Sequence, residues 1–114
     1  MMNLSHTPRR THVTTGAIGC AHDPYGYTKV KVIRGDRIAC LYEDGLGRVK
    51  LTLLEHDEVV QEFEHIDGCC PYQTPADRIA KLKFAIRFRR HVGVSAEEAT
   101  AEWYAMPDEP KIYM

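Results

Sequence analysis

A chain of 114 residues with 15 Lys and Arg, 16 Asp and Glu and a formal net charge of −1 has the length of a single small domain, able to bury a modest core without staples. Its 44% hydrophobic and 27% charged content excludes a disordered or low-complexity chain, and no apolar run is long enough to span a bilayer. The cysteines Cys20, Cys40, Cys69 and Cys70 lack the spacing of a secreted disulfide framework. With no apolar leader core over residues 1–15, the expectation is a reduced, cytoplasmic protein without membrane association.

Residues 1–15 are polar and read as a mobile N-terminal tail, with room for a short edge strand over 11–15; residues 16–114 read as a single α+β domain. Gly16, Gly19, Pro24 and Gly26 make 15–27 mostly loop. Strand signals follow. Over 27–33, Thr28, Val30 and Val32 alternate with Lys29 and Lys31. Gly35-Asp36 is a turn, and Ile38, Cys40, Leu41 and Tyr42 mark a second strand over 37–43. Asp44-Gly45 is a hairpin signal, loosened by Gly47. Over 48–54, Val49, Leu51 and Leu53 alternate with Lys50 and Thr52. His56-Asp57-Glu58 is a polar break, and 59–66 completes the series. Period-2 alternation with short turns predicts a four-stranded antiparallel meander; a partly curled, SH3-like barrel over 27–66 is the alternative.

After Pro71 the period changes. Thr74-Pro75-Ala76-Asp77 carries an N-cap, a proline at the first helical position and the acid of a capping box. It predicts a helix from 75 to about 91 that ends at Gly93. Ser95-Ala96-Glu97-Glu98 opens a second helix with the stripe Ala96, Ala99, Trp103 and Met106, stopped by Pro107. Residues 81–89 also fit a strand template, with Leu82, Phe84, Ile86 and Phe88 alternating against bases, but the caps favour helix. On that helix Ile79, Leu82 and Ile86 form the expected core stripe and Phe84 and Phe88 the opposite side. The expected core is Trp103, Ile79, Leu82, Ile86, Val30, Val32, Ile38, Leu51, Leu53 and Phe63, with both helices packed on one face of the sheet.

The feature with most functional content is segregated charge. No Lys or Arg occurs over 51–76, which holds Glu55, Asp57, Glu58, Glu62, Glu64 and Asp67; residues 78–91 then hold Arg78, Lys81, Lys83, Arg87, Arg89 and Arg90 and no acid. Lys and Arg side chains with Phe84 and Phe88 between them suit phosphates and unpaired nucleobases or an acidic protein surface. Equally, the basic helix can lie across the acidic strand, each compensating the other. Glu62 and Glu64 point the same way on a strand, about 7 Å apart, so they can imitate phosphates; the plainer role is a solubilising edge.

Metal binding by Cys20, His22, His65, Cys69 and Cys70 lacks zinc-ligand spacing, and Cys20, His22 and Asp23 are too close in sequence to converge as nucleophile, base and orienter. Arg34-Gly35-Asp36 is read as a turn. No cofactor, metal or catalytic residue is expected. The expectation is a small non-enzymatic module acting through a protein partner, of the kind that phage and mobile-element regulators or inhibitors of host complexes use. Arg78, Lys81, Phe84, Arg87, Phe88 and Arg90 are its expected contacts, with Glu62 and Glu64 second. The alternative is a nucleic-acid-binding regulator using 78–91.

Overall fold

The computed structural model describes residues 9–16, 26–44, 47–66 and 74–107. Of the loop expected over 15–27, residues 17–25 lie outside the described residues and residues 15, 16 and 27 are strand; Gly45, Asp67, Pro71, Cys69 and Cys70, like Cys20 and His22 within that loop, also lie outside them. Five strands, β1 (Arg9–Gly16), β2 (Tyr27–Arg34), β3 (Arg37–Asp44), β4 (Arg48–Glu55) and β5 (Glu58–Ile66), precede α1 (Pro75–Val92) and α2 (Ala96–Ala105). The sheet is an antiparallel meander in the order β1-β2-β3-β4-β5. The expected meander is therefore present with one more strand. Half of the polar N-terminal segment is β1, paired along its whole length with β2 from Arg9↔Arg34 to Gly16↔Tyr27. This linear order gives the SH3-like alternative no support.

Each hairpin follows from local chemistry. Gly35 takes φ 58 in the β2–β3 turn. The β4–β5 turn places both His56 (φ 51) and Asp57 (φ 64) in the left-handed region, the geometry that matches strand twist in a two-residue hairpin. His56 N–H donates to the Asp36 carbonyl at 2.9 Å, so the two turns at this end of the sheet brace each other. At the other end the Asp44 carboxylate accepts from the Arg48 amide at 3.1 Å and from the Tyr42 hydroxyl at 3.0 Å.

Alternation sends Val30, Val32, Ala39, Leu41, Val49, Leu51 and Leu53 to one face, where they form the core with Phe84, Phe88, Val92, Val94, Ala96 and Ala99; Phe63 packs against its margin. Helix α1 contacts β2 to β5, chiefly β3, and α2 contacts β1 and β2. Two layers result. Ile38, expected in this core, is only half-buried, because its register with Ile33 and Leu54 puts it on the other face.

The helix α1 begins as expected. Thr74 and Asp77 form a reciprocal capping box, and Gly93 at φ 76 closes its C-terminus. Three long-range contacts then fix its rotation. His65 Nε2 lies 2.8 Å from Asp77 Oδ1, tying β5 to the first turn. His91 Nε2 donates to the Leu54 carbonyl at 2.8 Å. The buried Arg34 guanidinium donates to the Val92 carbonyl at 2.9 Å, satisfying a carbonyl that the helix end leaves open and meeting the negative end of its dipole. Gly93 is required here for space as well as φ, since a Cβ would lie 2.5 Å from Arg34 Nη1.

This rotation reverses the expected faces of α1. Phe84 and Phe88 are 7% and 0% exposed, whereas Ile79, Leu82 and Ile86 are 53%, 61% and 42% exposed. The residues flanking each arc supply the reason. Around the phenylalanines stand Ala80, Ala85, Lys81 and Arg87, small or long enough to reach water. Around the Ile-Leu-Ile stripe stand Arg78, Lys83, Arg89 and Arg90, and seating that stripe would desolvate several charges.

Substitution Phe88→Ala is expected to lower unfolding stability by about 3–5 kcal/mol, whereas Leu82→Ala should change it by less than about 1 kcal/mol. Urea unfolding of both variants checks this, and comparable losses would contradict the assigned rotation.

Candidate docking face of the first helix

With the phenylalanines against the sheet, the opposite side of α1 is a built surface. Ile79, Leu82 and Ile86 follow one another at spacings of three and four residues, so they lie in one line along the helix. At 100° per residue, Arg78 and Arg89 border that line on one side and Lys83 and Arg90 on the other. All four bases are exposed. Arg89 makes an ion pair with Glu98 of α2 at 3.2 Å; Arg78, Lys83 and Arg90 make no ion pair with an acid among the described residues.

The stripe leads into a groove. A cavity of ≈430 Å³ lies between α1 and the start of α2, with Leu82, Ala85 and Ile86 on one wall, Ala96 and Glu97 on the other and Leu41 at its base. A second, of ≈510 Å³, adjoins it beneath α2 and shares Leu41, Glu43, Ala96 and Glu97. The N-cap of α2 holds this wall in place, Ser95 Oγ accepting from the Glu98 amide at 3.1 Å, while Trp103 anchors its far end, ring 6.4 Å from that of His12 on the edge strand β1. An Arg9–Glu102 ion pair joins the same two elements.

The residues singled out from sequence separate into three environments. Arg78 and Arg90 flank the outward stripe, and Lys81, half-buried, lines the groove. Phe84 and Phe88 are core residues, so the expected aromatic–basic face does not exist as such. Arg87 turns toward β5, its guanidinium carbon 4.4 Å from the Phe63 ring centroid, and Phe63 lies 6.0 Å from Phe84. Glu62 and Glu64 share the opposite face of β5, in register with Thr52 and Lys50, and Glu62 pairs with Lys50 at 3.0 Å.

The acidic strand and basic helix therefore do not neutralise each other through ion pairs among the described residues. Glu62 is matched by Lys50 and Glu55 by Arg37, at 3.7 Å. Links between β5 and α1 include His65–Asp77, the Arg87–Phe63 contact and the Phe63–Phe84 ring pair. The bases on the outward side of α1 keep their field. Sequence reasoning missed Ile79, Leu82 and Ile86 as surface residues; the signal was the four bases bordering them.

No group of three or more His, Cys, Asp or Glu able to hold a metal ion occurs among the described residues, and among them no helix is long and apolar enough to cross a membrane. Cys40 is half-buried in mid-strand. Burial raises its thiol above the ordinary range, against the lowering effect of Lys29 and Lys31. Comparison with known proteins finds no matching family model, curated protein or solved structure. The functional reading accordingly stands on this geometry.

Because only the thiolate is nucleophilic, alkylation of Cys40 by iodoacetamide should rise with pH later in the folded protein than in the same chain unfolded in urea. Peptide mass spectrometry follows that residue; coincident pH–rate profiles would contradict its assigned environment.

Proposed function

We propose that this protein is a non-enzymatic binding module that docks an acidic, amphipathic segment of a partner protein on the outward side of α1. The observation that carries this reading is the exposed line of Ile79, Leu82 and Ile86, framed by Arg78, Lys83, Arg89 and Arg90. Apolar side chains at helical spacing offer anchors to a facing helix or strand, and the bases favour acids around those anchors while repelling basic partners. Like charge on two identical copies disfavours α1 against α1 in a symmetric pair.

Two features favour a protein segment over other polyanions. An apolar line between the bases has nothing to bury against in a phosphate backbone, and the rings of this helix, Phe84 and Phe88, are in the core. The groove beside the line is concave and carries Glu97, which suits an inserted peptide better than a flat anionic lipid surface.

Selection from a displayed random peptide library tests this directly. The expected winners carry apolar residues at spacings of three and four among Asp and Glu. They should bind the double variant Leu82→Asp/Ile86→Asp at least about tenfold more weakly, since each anchor buries roughly 1.5–3 kcal/mol of apolar surface. Winners without acidic enrichment, binding unaffected by the double variant, or flotation with anionic vesicles that depends on Leu82 would each overturn the reading.

A further inference from the structure

The face of the sheet opposite the helices is a second surface, built by the other half of the strand alternation. Register places Lys29, Tyr42 and Lys50 in one row across β2, β3 and β4, and Lys31, Cys40 and Thr52 in the next. A cavity of ≈310 Å³ opens among Lys29, Cys40, Tyr42, Lys50 and Thr52. Beside it the Tyr27 and Tyr42 rings lie 5.6 Å apart at 30°. Gly16 makes room for the first of these, since a Cβ there would lie 1.9 Å from Tyr27 Cε1. No described helix packs on this face.

Its charge is uneven in a useful way. Lys50 is matched by Glu62, and Glu64 stands on the same β5 edge. On β2, by contrast, Lys29 and Lys31 make no ion pair with an acid among the described residues. They point to the same side about 7 Å apart, comparable to the separation of successive phosphates along one extended nucleic-acid strand. Two unneutralised ammonium groups in that line, next to a pair of tyrosine rings and the Thr52 hydroxyl, combine phosphate neutralisation with a stacking platform on an open sheet.

We infer that this face binds single-stranded nucleic acid, its backbone running along β2 over Lys29 and Lys31 and its bases toward Tyr27 and Tyr42. The carboxylates of β5 confine the strand to the β2–β3 side. Duplex is excluded as the preferred ligand because its bases are stacked on each other and cannot stack on the tyrosines. The site lies on the opposite layer from the α1 docking face and is independent of it.

Fluorescence anisotropy with labelled oligothymidylate and oligouridylate tests the inference across a salt series. Affinity should fall linearly on a log–log plot against salt. The double variant Lys29→Ala/Lys31→Ala should weaken it about tenfold or more at low salt, and Tyr27→Leu about fivefold. Lys83→Ala/Arg90→Ala, on the other layer, should leave it largely unchanged. Bound oligonucleotide should also shield Cys40 from alkylation, and that protection should vanish in the double lysine variant. No binding at low salt, equal affinity for duplex, or loss confined to the Lys83/Arg90 variant would overturn it.

Discussion

The seating of Phe84 and Phe88 against the covered face of the sheet is the constraint on which the surface of this protein depends. The core joins the apolar half of three strand alternations to those two rings, with Val92, Val94, Ala96 and Ala99 beside them, and α1 has no second way to fill it without bringing Arg78, Lys83, Arg89 and Arg90 out of water. Once the rings are inward, Ile79, Leu82 and Ile86 must face outward. Contacts at the two ends of the helix hold that rotation: His65 with Asp77 at the start, and His91 and Arg34 with backbone carbonyls at the finish. The exposed aliphatic stripe of α1 is thus a consequence of core packing.

The same packing explains how acid and base stay apart in a small molecule. Among the described residues, ion pairs run between neighbouring strands, Lys50 with Glu62 and Arg37 with Glu55, between the helices, Arg89 with Glu98, and from the edge strand to α2, Arg9 with Glu102. Exposed pairs of this kind add little stability, roughly 0–1 kcal/mol each. Their larger effect is to decide which charges remain unmatched. Among the described residues, the bases they leave without a paired acid include Arg78, Lys83 and Arg90 on the outward side of α1 and, on the opposite layer, Lys29 and Lys31. A chain of nearly zero net charge thereby carries two positive surfaces facing in opposite directions.

Most of the fold was legible because its signals are local. Alternation and turn residues placed four strands, and the Thr74–Asp77 box and Gly93 bounded α1. The strand β1 was harder to see: Arg9, Arg10 and His12 do not look like a strand until β2 is there to pair with them. The rotation of α1 was not legible from periodicity, which offers two apolar arcs on one helix and does not rank them. The contacts that rank them come from Arg34, Leu54 and His65, distant in sequence. For the same reason Lys29, Lys31 and Lys50 could be assigned to one side of the sheet, while which side the helices would leave open could not. Of the residues first singled out for partner contact, Phe84 and Phe88 lie in the core, while Arg78 and Arg90 lie on the outward side of the same helix.

The central claim, that α1 presents its aliphatic stripe and hides its rings, is tested most directly by thiol accessibility along the helix. In a background with the native cysteines replaced by serine, single cysteines at positions 79, 82, 86, 84 and 88 would be reacted with a thiol reagent under native conditions. The account predicts rates near those of an unfolded peptide at 79, 82 and 86. At 84 and 88 protection should be on the order of a hundredfold or more, because reaction there requires opening of the core. Fast reaction at 84 and 88 with protection at 82 and 86 would mean that the helix is seated on its other face, and the docking surface argued from it would not exist.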